Sequence, residues 1–192
     1  MSVKTFKPLP VGNEDFVSLR NKGHYYVDKT PYLKNVFTDP SSVLLFTRPR
    51  RFGKSVTVKM LNAYYSKGCD SKALFSDLKI ASSPDFEKHL NQHDVIYLDM
   101  TEFADNKDNG IRYLENLNTD VVSELKDTYP GYFKKDKDYS LPEAIRCLGK
   151  RFIFIIDEWD FVFREYPNNS NLHENFINLL RALFKGVGEN FV

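Results

Sequence analysis

Tryptophan occurs once, at Trp159, cysteine twice, at Cys69 and Cys147, and methionine three times. The two cysteines have neither CxxC nor metal-ligand spacing, which excludes a disulfide scaffold or a zinc knuckle and leaves them as reduced packing thiols. Charge of one sign is missing too: 27 basic residues face 26 acidic ones, for a net charge of +1. No global field therefore draws the chain to nucleic acid or to a membrane surface. No apolar run approaches the roughly 18 residues of a membrane span, and the first eleven residues hold no apolar core of a signal peptide. The expectation is a soluble, cytoplasmic protein with no membrane partner. Repeats and low-complexity tracts are absent as well, apart from a polar patch at Lys134–Asp138 that reads as an exposed loop. What is present is 192 residues with 42% hydrophobic and 15% aromatic content, enough for one domain with a real core.

The stretch that organises the chain runs from Val43 to Tyr65. Val43, Leu44, Leu45 and Phe46 form a β-prone run, Thr47 through Phe52 cannot continue it, and Gly53-Lys54-Ser55 opens a segment with Val56, Met60, Leu61 and Tyr64 at helical spacing. Strand, loop and helix in that order make a phosphate-binding loop, because the first N–H groups of a helix lack intrahelical partners and its dipole favours an anion. Gly53 lets backbone approach a phosphate, Lys54 can reach the β and γ phosphates, and Ser55 is placed to hold Mg²⁺. Arg50, Arg51, Phe52 and Val56 complete the nucleotide-binding set. The head of the usual pattern differs, since its first glycine is replaced by Arg48. Read alone, the stretch has an alternative reading as a surface turn with solvated basic residues.

A second run narrows the choice. Phe152–Ile156 is the most apolar segment of the chain and ends in Asp157-Glu158-Trp159-Asp160. It reads as a buried parallel strand, and α/β sheets place ligands at the carboxyl ends of such strands. Asp157 is the candidate to hold Mg²⁺ opposite Ser55, and Glu158 the candidate to orient and deprotonate an attacking water. Lys54 joins Glu158 as a catalytic candidate. Asp160 is a further acidic candidate at the same strand end.

These two runs, Arg48 to Ser55 and Ile156 to Asp160, resemble the predicted AAA-ATPase-like family, many of whose members carry a PD-(D/E)XK nuclease domain further along. Leu9–Gly12 leading to Phe16, Tyr26–Thr30 and Val95–Asp99 resemble the family's other blocks in the family's order, so the likeness spans nearly the whole chain. The arginine in place of the first loop glycine is shared by the family, while Trp159 stands where tyrosine is more usual. The resemblance implies a nucleotide-binding fold and suggests that Asp28 and Lys29 face the nucleotide; both also read as a surface ion pair.

Taken in order, residues 1–21 read as an irregular lead-in, Tyr25-Tyr26-Val27 as a short strand, and Thr30-Pro31 as the cap and first turn of a helix with Tyr32, Leu33, Val36 and Phe37 inward. Ser83-Pro84 caps a short helix, and Val95–Leu98 reads as a strand ending at Asp99, a candidate for the magnesium shell or for the attacking water. His89 and His93 have the spacing of a helical metal pair, but Asn91-Gln92 signals that the helix has ended, and no third ligand is evident. Ile111, Leu114, Leu117, Val121 and Leu125 mark a helical stripe. Ser140 with Glu143 reads as a capping box with Gly149 closing its helix, and Asn171 with Glu174 repeats the pattern before Phe176, Ile177, Leu180 and Phe184.

The expected fold is α/β, a three-layer parallel-sheet P-loop NTPase core truncated at the C-terminus. Residues 1–40 would form a lead-in and capping helix packed on a core of residues 41–192 that continues beyond 192. The expected function is Mg²⁺-dependent ATP binding and hydrolysis coupled to a conformational switch. The rival is a nucleotide-sensing interaction module with little hydrolysis, regulating an attached or partner nuclease. The basic loop is the candidate surface for a nucleic acid or protein partner. A nuclease signature is confined to stray triplets such as Asp77-Leu78-Lys79, and a small-molecule kinase is the remaining alternative.

Overall fold

The computed structural model describes residues 6–41, 43–47, 52–104 and 109–185, and the chain divides into two compact units. The first comprises Met1–Tyr97 and Ile153–Asp157, the second Leu98–Phe152 and Glu158–Val192.

In the first unit, α1 (Phe16–Asn21) is capped by Asp15, whose carboxylate accepts from the Ser18 N–H. This helix falls in a stretch expected to be irregular. It forms because Phe16 and Leu19, three apart, bury together at 0% and 2% exposure. Tyr25-Tyr26-Val27 is extended loop rather than strand, with Tyr25 and Val27 exposed. Next comes α2 (Pro31–Thr38), with proline in its first turn. Thr30 does not cap it with its side chain: the hydroxyl donates to Asp28 and accepts from the Ile80 N–H at 3.2 Å, and the residue is fully buried.

Helix α3 (Lys54–Tyr65) carries the first unit's core on one side: Met60, Leu61, Tyr64 and Tyr65 are all buried. Each is worth about 1.5–3 kcal/mol over an exposed side chain. The tyrosine hydroxyls do not go unsatisfied, since Tyr64 donates to Phe86 O at 2.8 Å and Tyr65 to Leu33 O at 3.0 Å. After α4 (Lys72–Phe75), a 3₁₀ turn (Lys79–Ser82) and α5 (Phe86–His89), the chain enters β1 (Asp94–Asp99). Asn91, at φ 55°, spans this junction, its amide donating to Ala63 O and Ser66 O while its carbonyl accepts from Ser71. His89 and His93 meet with Nδ1 and Nε2 3.2 Å apart, and Phe37 stacks on His89 at 3.6 Å between ring centres. Burial holds both imidazoles below their ordinary pKa, helped by Lys88 at His89 and by the neighbouring ring at His93. Among the described residues no group of three or more His, Cys, Asp or Glu side chains is placed to hold a metal.

In the second unit α6 (Tyr113–Thr128), α7 (Leu141–Leu148), α8 (Phe161–Glu165) and α9 (Ser170–Lys185) pack around Tyr113, Leu117, Leu141, Ile145, Val162 and Phe176. The capping box at α7 forms as expected: both the hydroxyl and the N–H of Ser140 point to the Glu143 carboxylate at 2.9 Å. Gly149 closes the helix in the left-handed conformation. Ile111 lies outside α6 and is exposed; Tyr113 takes the buried place instead. Helix α9 begins earlier than Asn171 predicts, because Asn169 accepts from the Leu172 N–H, and Ile177 is left 37% exposed.

The second strand, β2 (Phe152–Asp157), pairs with β1 in a small two-stranded parallel sheet. A parallel bridge between Ser66 and His93 extends the pairing beside β1. These are the strands among the described residues, so the structure is α/β in the coarse sense and the three-layer core is not reproduced. Val43–Phe46 is the main departure: it makes no ladder, and Val43, Leu45 and Phe46 are 58%, 64% and 39% exposed. An apolar run becomes a strand only where a neighbour takes its N–H and C=O groups, and among the described residues no ladder includes this one. No helix among the described residues is long and apolar enough to cross a membrane.

Candidate functional site

The candidate residues fall on two turns, one before α3 and one after β2, and each turn is described by itself. Before α3, Gly53 sits at the N-cap with φ 71° and ψ 40°, a left-handed conformation that costs an L-residue with a Cβ about 1 kcal/mol or more. Lys54, Ser55 and Val56 are the first three residues of the helix, and no side chain caps it among the described residues. The carbonyl of Gly53 starts the helical ladder, accepting from the Thr57 N–H at 3.1 Å and the Thr57 hydroxyl at 2.8 Å. The N–H groups of the first turn therefore point out of the N-terminus, the arrangement that binds anions. Phe52 is exposed beside it; Arg48, Pro49, Arg50 and Arg51 lie outside the described residues.

Lys29 reaches this turn from 24 residues before Gly53, its ammonium donating to Phe52 O at 2.9 Å and Gly53 O at 3.4 Å. It stands so close to Gly53 that a Cβ there would lie 2.6 Å from Nζ. Asp28 faces elsewhere, accepting from the Thr30 N–H at 2.9 Å, the Thr30 hydroxyl at 2.6 Å and the Lys79 N–H at 2.8 Å. Burial alone would raise its pKa, but those hydrogen bonds outweigh it and hold the carboxyl below the usual range. The acid clasps α2 to the 3₁₀ turn and the base holds the loop. The backbone between them and α3 is anchored by Tyr26, whose hydroxyl contacts Met60 Sδ at 3.1 Å and accepts from the Lys29 N–H at 3.4 Å. Burial pushes the Tyr26 hydroxyl up to about 12, so it keeps its proton.

After β2, Asp157 is 5% exposed and is the buried carboxylate at the strand end, in the first unit. The chain re-enters the second unit at Glu158, which has φ 51° although it is not glycine. Strain of this kind concentrates where a side chain must be aimed. The Glu158 carboxylate bonds the Arg164 guanidinium at 2.7 Å, and Asp160 meets the same guanidinium at 3.2 and 3.3 Å from its two oxygens. Trp159, between them, is 43% exposed and packs edge-on against Phe163. Asp99, at the end of β1, accepts from the Thr101 N–H at 3.0 Å and the Thr101 hydroxyl at 2.7 Å, which closes a local turn.

With this geometry in hand, a family model described as Predicted AAA-ATPase matches residues 10–190. The chain belongs to that family. No curated protein and no solved structure gives a significant match. Membership in a predicted AAA-ATPase family carries nucleotide binding as its coarse functional content.

Two side chains at these turns make contacts that the sequence reading does not assign. For Arg164 the position four residues after Asp160 on a helix is a readable signal. The role of Lys29 on the loop carbonyls had no local signal at all, since it spans 23 residues to Phe52.

Proposed function

We propose that this chain binds ATP at the N-terminus of α3 and hydrolyses it with Mg²⁺, coupling the reaction to a conformational switch. The observation that carries the reading is a left-handed glycine at the N-cap of a 12-residue helix that opens Lys54-Ser55, in a chain of the predicted AAA-ATPase family. Lys54 and the loop amides, from Arg50 to Val56, neutralise charge on the phosphates.

The residues present fit a magnesium ion. Ser55 supplies a hydroxyl and Asp157 a buried carboxylate, the hard oxygen donors that Mg²⁺ takes in small number beside water and phosphate. When bound there, the ion would neutralise charge developing on the phosphate oxygens. Glu158 is the base: it takes a proton from water as the water oxygen attacks the γ-phosphorus, the bond to the β–γ bridging oxygen breaks, and ADP leaves.

The ion pair between Glu158 and Arg164 favours a second reading, since a carboxylate held at 2.7 Å by a guanidinium is occupied and turns over slowly. In that reading the bound nucleotide itself, rather than its hydrolysis, is the output. Calorimetric titration of ATP with and without Mg²⁺, followed by single-turnover phosphate release, separates the two. Binding with release supports hydrolysis, binding without release supports sensing, and absence of binding overturns both.

A further inference from the structure

Lys29 lies outside the glycine-lysine-serine turn in sequence, yet its ammonium touches the turn's backbone on the carbonyl side, on Phe52 O and, beside the Thr57 hydroxyl, on Gly53 O. Within one peptide unit C=O and N–H point in opposite directions. An ammonium fixed on Phe52 O therefore turns the Gly53 N–H the other way, while Gly53 O, which it also reaches, is already held by the Thr57 N–H and hydroxyl. Glycine at φ 71° is the residue at which such a peptide plane flips most freely, so the orientation needs an external hold.

The hold is itself well founded. On one side of Lys29, Asp28 is bonded to Thr30 and to the Lys79 N–H; on the other, Tyr26 rests on Met60, a fully buried residue of α3. The lysine is thus mounted on the helix whose first turn it organises. A merely solvated surface lysine would have no reason to end within 3 Å of a carbonyl on a turn 23 residues away.

We infer that Lys29 is a positioning residue for the phosphate loop: by holding the Phe52 carbonyl it presents the Gly53 amide to the nucleotide phosphates. The inference rests on the nucleotide reading above. It assigns Lys29 no contact with ATP and no part in bond breaking. Losing a charged hydrogen bond that pre-forms an anion cradle weakens phosphate binding by about tenfold or more.

The test uses the 192-residue chain and four proteins: wild type, Lys29→Met, Lys29→Arg and Lys54→Ala. Each is titrated with MgATP by calorimetry, its melting temperature is recorded, and the Gly53 amide ¹⁵N–¹H resonance is followed without nucleotide. The expected result is weaker MgATP binding by Lys29→Met at an unchanged melting temperature, a displaced Gly53 resonance, and recovery of binding in Lys29→Arg. A purely structural role would lower the melting temperature and leave the Gly53 amide of the folded protein in place, and that result overturns the inference. So does wild-type affinity in Lys29→Met beside lost affinity in Lys54→Ala, which removes Lys29 while keeping the nucleotide reading. Failure of the wild type to bind MgATP overturns the nucleotide reading and the inference together.

Discussion

Of the turns in this molecule that hold a residue at positive φ, those at Gly53 and Glu158 use the conformation oppositely. At Gly53 the left-handed conformation, φ 71°, falls on the one residue type that adopts it freely, and what it exposes is backbone. At Glu158 nearly the same conformation, φ 51°, falls on a residue that resists it, and what it aims is a side chain. The first turn is held by a lysine from a distant part of the sequence, the second by an arginine six residues on. A turn whose product is amide orientation is made cheaply and needs a brace; a turn whose product is a carboxylate carries strain and is steadied by local charge.

The contrast can be broken most decisively at Lys54. Lys54→Ala should reduce MgATP affinity by about a hundredfold or more, because a charge at the phosphates is lost from a helix terminus while the buried face of α3 is untouched. Calorimetry checks it, and unchanged affinity would remove the phosphate loop from the argument. Glu158→Gln should leave affinity intact and lower turnover by roughly 10²-fold, as loss of a general base does. Phosphate release under saturating ATP reads the effect; if turnover persists, Asp99 or Asp160 becomes the base to test.

Stability measurements sharpen the comparison further, because the two turns should respond with opposite sign. Gly53→Ala should destabilise by about 1–2 kcal/mol, since alanine is strained at φ 71° and its Cβ would force Lys29 Nζ aside. Glu158→Gly should do the reverse, stabilising by about 0.5–1 kcal/mol through relief of strain, less the small worth of an exposed ion pair, while turnover falls. Urea unfolding of both variants settles the signs.

The smallest effect expected is a pH slope in the first unit. His89 and His93 have folded pKa values below the unfolded value of about 6.5, so the unfolded chain takes up protons first as pH falls. Stability should therefore be flat above about pH 7.5 and decline as pH drops through 6.5. Asp28, also depressed, contributes stability above its unfolded pKa of about 3.9 that is lost only as pH falls further through its folded value. The two windows are separable: His89→Gln should reduce the first and leave the second, as urea midpoints across about pH 2–8 would reveal.

Local chemistry was the legible part of the sequence. The capping box of Ser140 and Glu143, the Gly149 stop and the apolar run of β2 each depend on neighbours a few residues apart, and each stands where its residues predict. The turn before α3 is legible for the same reason, through glycine and the helical spacing that follows. What failed depended on partners remote in sequence. Val43–Phe46 has the composition of a strand and pairs with no strand among the described residues; Thr30 has the chemistry of a cap but spends its hydroxyl on Asp28 and Ile80. Lys29 belongs with these, because nothing around it in the chain announces the carbonyls it reaches. The arginines of the loop, from Arg48 to Arg51, fall outside the described residues and keep the standing they have in the sequence.

The lone tryptophan gives the acidic turn an optical label that the protein supplies itself. Trp159 lies between Glu158 and Asp160, 43% exposed, with Phe163 against its edge, and no other indole contributes to the emission. Carboxylates beside an indole alter its quantum yield, and solvent at its open face sets its wavelength. Excitation near the red edge of protein absorption, where the tyrosines are silent, would therefore follow events at this single strand end in real time, in unlabelled protein and without any change to its sequence.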